Sequence, residues 1–84
     1  MTQTKKIILE NLCYTDLVYS RINKKLGSHL SKFQIENLIF NAIKETEDKF
    51  FSKKGKNYYI TNVPKNFRIT INSYTNRVIT VDRL

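Results

Sequence analysis

The chain has one cysteine, one proline, two glycines, one histidine and no tryptophan in 84 residues, and only seven acids against fifteen lysines and arginines. Each scarcity excludes something. The single thiol, Cys13, forms no intramolecular disulfide and builds no cysteine-based metal site. The cytosol is therefore the expected compartment, and Cys13 is expected in the interior, as free cysteines usually are. Two glycines and one proline leave no flexible linker and no collagen-like segment. The glycines, Gly27 and Gly55, stand too far apart to form a phosphate-cradling loop. Near the N-terminus only Ile7, Ile8 and Leu9 stand together before Glu10. A signal peptide needs roughly 7–15 apolar residues and a spanning helix about 20, so no membrane partner is expected. No histidine, cysteine or carboxylate cluster has metal-ligand spacing, and no metal or cofactor is expected.

What is present fits one small domain. Hydrophobic residues make up 40% and charged residues 26% of the chain, a globular rather than a disordered balance. A domain of this size buries about two-thirds of the surface its unfolded chain exposes, leaving room for one core. Residues 1–48 read as helical and residues 49–84 as strands.

Residues 4–12 suggest a short turn of helix. Thr15 is placed to N-cap a second helix, with Asp16 in its first turn and Gly27 just past its last. Leu17, Val18, Ile22 and Leu26 form the apolar stripe of this helix. Arg21, Lys24 and Lys25 lie largely away from it. A third helix has the clearest signature: Ser31 and Gln34 make a capping box, with Leu30 and Ile35 placed as a hydrophobic staple. Ile35, Leu38, Ile39, Ala42 and Ile43 then recur on one helical face, and Phe40 flanks it. The pattern ends at Lys44-Glu45-Thr46-Glu47-Asp48.

From residue 49 the period becomes two. Strands are expected over 49–53, 57–61, 67–72 and 77–82, with turns at Lys54-Gly55-Lys56, at 62–66 and at 73–76. The expected fold is α+β, two or three N-terminal helices on one face of a four-stranded, mostly antiparallel sheet. If Ile69 and Ile71 share the core face with Ile79 and Val81, the last hairpin needs an odd loop or a bulge. One such register sets Arg68 opposite Asp82 and Thr70 opposite Thr80. The face away from the core then carries Arg68, Thr70, Asn72, Val78, Thr80 and Asp82.

The net charge of +8 is concentrated. Residues 1–48 hold seven basic and six acidic side chains, whereas residues 49–84 hold eight basic ones and a single acid, Asp82. Lys53, Lys54, Lys56, Lys65, Arg68 and Arg77 are interleaved with Tyr58 and Tyr74, cations for phosphates and rings for bases. These eight residues are the expected nucleic-acid contacts. Lysines on edge strands also guard a sheet against pairing with its neighbours, so a merely solvated basic face is the competing reading.

Catalytic signals are sparse. His29 sits alone in a loop, where a solvated or capping role is the ordinary one. Glu45, Glu47 and Asp48 read as a solvated helix end. One constellation suits metal-free RNA cleavage: Arg68, Arg77, Lys56, Tyr58, Thr70 and Thr80 converging on one sheet face. There cations would neutralise the phosphorane and a tyrosine would move the proton. Arg68, Arg77 and Tyr58 are its catalytic candidates. The alternative is an ordinary Arg68–Asp82 cross-strand pair among strand-forming threonines.

Several segments carry a resemblance. A "T-x-L-x-x-x-R-I-x-x-x-L" helix runs from Thr15 to Leu26, a "G-K-N-Y-Y" strand from Gly55 to Tyr59, and an "I-T-I-N" hairpin begins at Ile69. Together they resemble a family of small bacterial single-domain proteins of unknown function, over nearly the whole chain from Tyr14 onward. Helices followed by an antiparallel sheet ending in Val78-Ile79-Thr80-Val81 are also loosely similar to bacterial RNase toxins, the RelE-like and colicin-type nucleases. That likeness implies a fold and carries no residue over. Two functions are thus expected to compete. One is a nucleic-acid-binding domain, RNA favoured, able to act as a toxin-like ribonuclease. The other is a non-enzymatic phage or mobile-element inhibitor, anti-CRISPR-like, whose basic surface meets an acidic patch on a protein or nucleoprotein complex. A homodimer paired at a sheet edge is compatible with both.

Overall fold

The computed structural model describes residues 2–84. Three helices, α1 (Thr2–Asn11), α2 (Asp16–Leu26) and α3 (Lys32–Glu45), precede a short 3-10 turn at Asp48–Phe50. Four strands follow: β1 (Phe51–Lys54), β2 (Asn57–Asn62), β3 (Phe67–Asn72) and β4 (Val78–Arg83). They form an antiparallel meander in the order β1-β2-β3-β4. The α+β reading holds.

The helix ends follow their local chemistry. Gly27 takes the left-handed conformation (φ 64°), and the N–H groups of Gly27 and Ser28 donate to the carbonyls of Lys24 and Asn23. This pair of bonds closes a Schellman motif. At α3, Ser31 Oγ accepts from the Gln34 N–H while Gln34 Oε1 accepts from the Ser31 N–H, so both halves of the capping box are made. Thr15 holds the N-cap position of α2 but makes no side-chain cap bond.

One core joins the two halves. Ile8 of α1, Val18 and Ile22 of α2, and Ile35, Ile39, Ala42 and Ile43 of α3 bury themselves against the sheet. Two rows of the sheet receive them: Phe51, Ile60, Ile69 and Val81, and beside it Tyr58, Ile71 and Val78. The opposite face carries the rows Tyr59–Thr70–Thr80 and Thr61–Arg68–Asp82.

The structure corrects several expectations. The first helix is a ten-residue element rather than a brief turn, because Ile8 is wholly buried and anchors it. The first strand begins at Phe51, since residues 48–50 close a 3-10 turn whose last N–H reaches the Glu47 carbonyl. Leu17 leaves the α2 stripe and stands 76% exposed. Cys13 is exposed and its thiol donates to the Thr75 carbonyl. Of the two expected devices, an odd loop or a bulge, the last hairpin uses the bulge, and Arg68 does pair with Asp82 and Thr70 with Thr80. Its position, however, puts Val78 opposite Ile71 in the core and leaves Ile79 as the extra residue.

The bulged strand does not face solvent along its edge. Cys13 bridges the start of β4, exchanging hydrogen bonds with Asn76 and Val78, and α2 then runs along the strand. Arg21 Nη1 donates to the Ile79 carbonyl at 3.1 Å, Lys25 Nζ meets Asp82 at 2.9 Å, and the Arg83 guanidinium donates to the Leu26 carbonyl. An edge strand is an aggregation template unless it is covered, and here a helix covers it.

Candidate nucleic-acid interface

The meander brings two of its turns to one end of the sheet. The β1–β2 turn consists of Gly55 and Lys56, with Gly55 at φ 61°, the positive φ that tight hairpin turns ask of glycine. The β3–β4 turn, residues 73–76, is folded around Asn72, whose Oδ1 accepts from the N–H groups of Tyr74 and Thr75. Asn76 closes it at φ 57°, a left-handed conformation that asparagine tolerates. The two turns are fastened together: the Ser73 N–H and the Ser73 hydroxyl both donate to the Lys56 carbonyl at 2.8 Å.

This fastening assembles Lys54, Lys56, Tyr74 and Arg77, with Lys53 next to them on β1. Tyr74 is 77% exposed, held out at the tip of its turn. None of the four cations is in an ion pair among the described residues, and the turns contain no carboxylate. Charge that is normally neutralised at close range is therefore available to an anionic partner.

The other expected contacts lie elsewhere. Lys65 sits in the β2–β3 turn at the far end and is committed to Glu45 at 3.3 Å. Arg68 is on the outer face, also toward the far end. Its expected ionic partner, Asp82, is taken by Lys25, and the Arg68 guanidinium lies over the Tyr59 ring at 5.7 Å instead. Tyr58 is half-buried and packs against the core, opposite Ile71. Tyr59 is the tyrosine on the outer face.

The catalytic constellation is likewise not assembled. Tyr58 lies on the opposite sheet face from Arg68. Arg77 stands level with Asn72, four residues along the strand from Arg68, which is about 13 Å at the usual rise. Among the described residues no group of histidine, cysteine or carboxylate side chains could hold a metal ion, and no helix is long and apolar enough to cross a membrane. His29 is exposed in the α2–α3 loop. That loop is organised by Asn23, which bonds both the N–H and the carbonyl of Leu30.

Sequence reasoning missed two groups. Tyr59 could have been chosen over Tyr58 by counting parity from Ile69 across the β2–β3 hairpin, had its register been fixed. Arg21, Lys24 and Lys25 of α2 bring three more cations to the rim beside β4, a placement no local pattern could announce.

Comparison with curated proteins and with solved structures finds no match, so the likeness to RNase toxins gains no support there. A family model does match, over residues 6–82. Three helices leading into a single closed meander, with the core and both fastened turns inside the matched span, make that match one to the whole domain. The chain belongs to the family described as protein of unknown function (DUF3781).

Proposed function

We propose that this domain binds nucleic acid, RNA favoured, through the end of the sheet formed by the β1–β2 and β3–β4 turns. One observation carries the reading: Lys54, Lys56 and Arg77 share one end of the sheet with an exposed Tyr74, and none of the three is in an ion pair among the described residues. Lysines and arginines so placed contact phosphates, and a ring standing free of the surface can stack on an unpaired base. Single-stranded RNA suits this better than a duplex, whose bases are not available for stacking. The reading is one of binding without cleavage, since Tyr58 lies on the opposite sheet face from Arg68 and Arg77 stands four residues along the strand from it, about 13 Å away.

The test is retention of end-labelled single-stranded RNA, duplex RNA and duplex DNA at two salt concentrations. If three cations contact the phosphates of a single strand, affinity falls about 20-fold between 50 and 200 mM salt, and each lysine removed flattens the slope by about 0.7. Tyr74→Ala weakens single-stranded RNA by about 1–3 kcal/mol and leaves duplexes unchanged. Failure to retain any nucleic acid at 50 mM salt overturns the reading. Capture of an acidic protein by the same lysines would replace it with the inhibitor.

A further inference from the structure

Between the head of α2 and the start of β4 lies a pocket of about 200 Å³, lined by Thr15, Leu17, Val18, Arg21, Arg77, Val78 and Ile79. Two of the chain's four arginines stand at this one opening. Arg21 is already fixed there, with Nη1 donating to the carbonyl of Ile79, the residue set aside by the bulge. One edge of its planar fork is thus anchored, and its remaining N–H groups are uncommitted. Arg77 is anchored through its backbone by the Asn72 N–H and by Thr75 Oγ1, while its guanidinium makes no ion pair among the described residues.

The remaining lining fits the same ligand. Thr15 heads α2 without making a cap bond, so its hydroxyl is free to donate. Leu17, Val18, Val78 and Ile79 supply apolar walls, which strengthen a charge-assisted hydrogen bond by keeping water back. The exposure of Leu17, odd for a leucine on an amphipathic helix, is explained if that wall is used. Asp16, the neighbouring acid, does not fill the arginines' need: its carboxylate is directed to Lys32 at 3.7 Å.

We propose that this pocket is a phosphoryl-binding site in which Arg21 and Arg77 clamp one phosphate, Thr15 donates to it, and Leu17 and Ile79 line the sugar side. This rests on the nucleic-acid reading for the source of the phosphate, a single nucleotide of the strand that passes Tyr74. A guanidinium pair binds a phosphate through several parallel N–H bonds, which a lysine ammonium cannot reproduce.

Two measurements on the full chain separate this inference from the reading beneath it. In the first, inorganic phosphate is titrated against the ¹⁵N-labelled protein. Saturable movement of the amide signals of Thr15, Leu17 and Ile79 is expected, absent in Arg77→Lys. In the second, single-stranded RNA is bound to the unmodified protein, to Arg21→Lys and to Lys24→Ala. Arg21→Lys, which keeps the charge, is expected to lose about tenfold in affinity, whereas Lys24→Ala loses only a few-fold. Phosphate movement without any RNA retention would sink the nucleic-acid reading and leave the pocket standing. RNA held equally by the unmodified protein and Arg21→Lys, with those amides unmoved by phosphate, overturns the pocket while the turn end stands.

Discussion

At the scale of single residues, the polar groups inside this protein divide into satisfied and orphaned ones. Asn62 is 2% exposed, and its amide donates to the Ala42 carbonyl, to Glu45 and to Thr46, while its Oδ1 accepts from the Lys65 N–H. It ties the end of α3 to the β2–β3 hairpin. Tyr14 is the opposite case: its ring stacks on Tyr19 at 5.5 Å, yet its buried hydroxyl has no hydrogen-bond partner among the described residues. Burial, then the charge of Glu36, pushes that hydroxyl's pKa up. An unpaired buried donor costs free energy that its removal returns. Tyr14→Phe is therefore expected to raise stability by about 1 kcal/mol, and Asn62→Ala to lower it by about 1–3 kcal/mol, both read from urea midpoints. A loss of stability in Tyr14→Phe would mean that the hydroxyl has found a partner in solution. Neither role was legible in the sequence. Asn62 looked like a loop residue because it precedes Val63-Pro64, and nothing local tells a satisfied asparagine from a solvated one.

At the scale of elements, legibility followed how local the physics is. Both capping-box bonds of α3 and the left-handed Gly27 are set within a few residues, and both were readable. Gly27 gives the sharpest check. An added Cβ would meet no atom within 4 Å, so any cost of Gly27→Ala comes from the backbone at φ 64° alone. That cost is about 1 kcal/mol or a little more, seen as a lower thermal midpoint without change in helix content. Strand register was half legible. The shared parity of Ile69 and Val81 demanded an odd loop or a bulge, and the place of the bulge decided that Val78, not Ile79, entered the core. That choice depends on α2, whose Arg21 takes the Ile79 carbonyl, and no strand pattern contains it. The surface chemistry of the sheet followed the same rule. Its charge was visible as composition, while the gathering of Lys56 and Tyr74 needed Ser73 to join two turns seventeen residues apart.

At the scale of the whole molecule, stability is expected to erode at both ends of the pH range for different reasons. The Asn62 amide, helped by Lys65, holds the Glu45 carboxyl below its usual 4.5. The stabilisation this provides is complete above that ordinary value and is lost as pH falls through the lower folded one. Burial and the hydrogen bond to Glu36 push the Tyr19 hydroxyl from 10 up to about 12. The unfolded chain gives up that proton near 10 while the folded chain keeps it, so stability declines from pH 10 toward 12. Urea midpoints followed across pH should fall on both sides of a neutral plateau. Glu45→Gln should flatten the acid limb alone, and Tyr19→Phe should lessen the slope of the alkaline limb alone, the remainder of which belongs to Tyr14. A limb that keeps its slope in its own variant refutes the assignment.

The covering of β4 by α2 also bears on how the chain is made. Each hairpin of the meander closes over neighbouring residues, but the contacts of Lys25 with Asp82 and of Leu26 with Arg83 span 57 residues. During synthesis α2 emerges early and must wait for its strand, while β3 keeps a bare edge until β4 is released. The nascent chain is then most vulnerable to pairing with a neighbouring copy just before its last strand appears. A chain truncated within Ser73–Arg77 would be held in that state, with three strands formed and Val18 and Ile22 still lacking part of their cover.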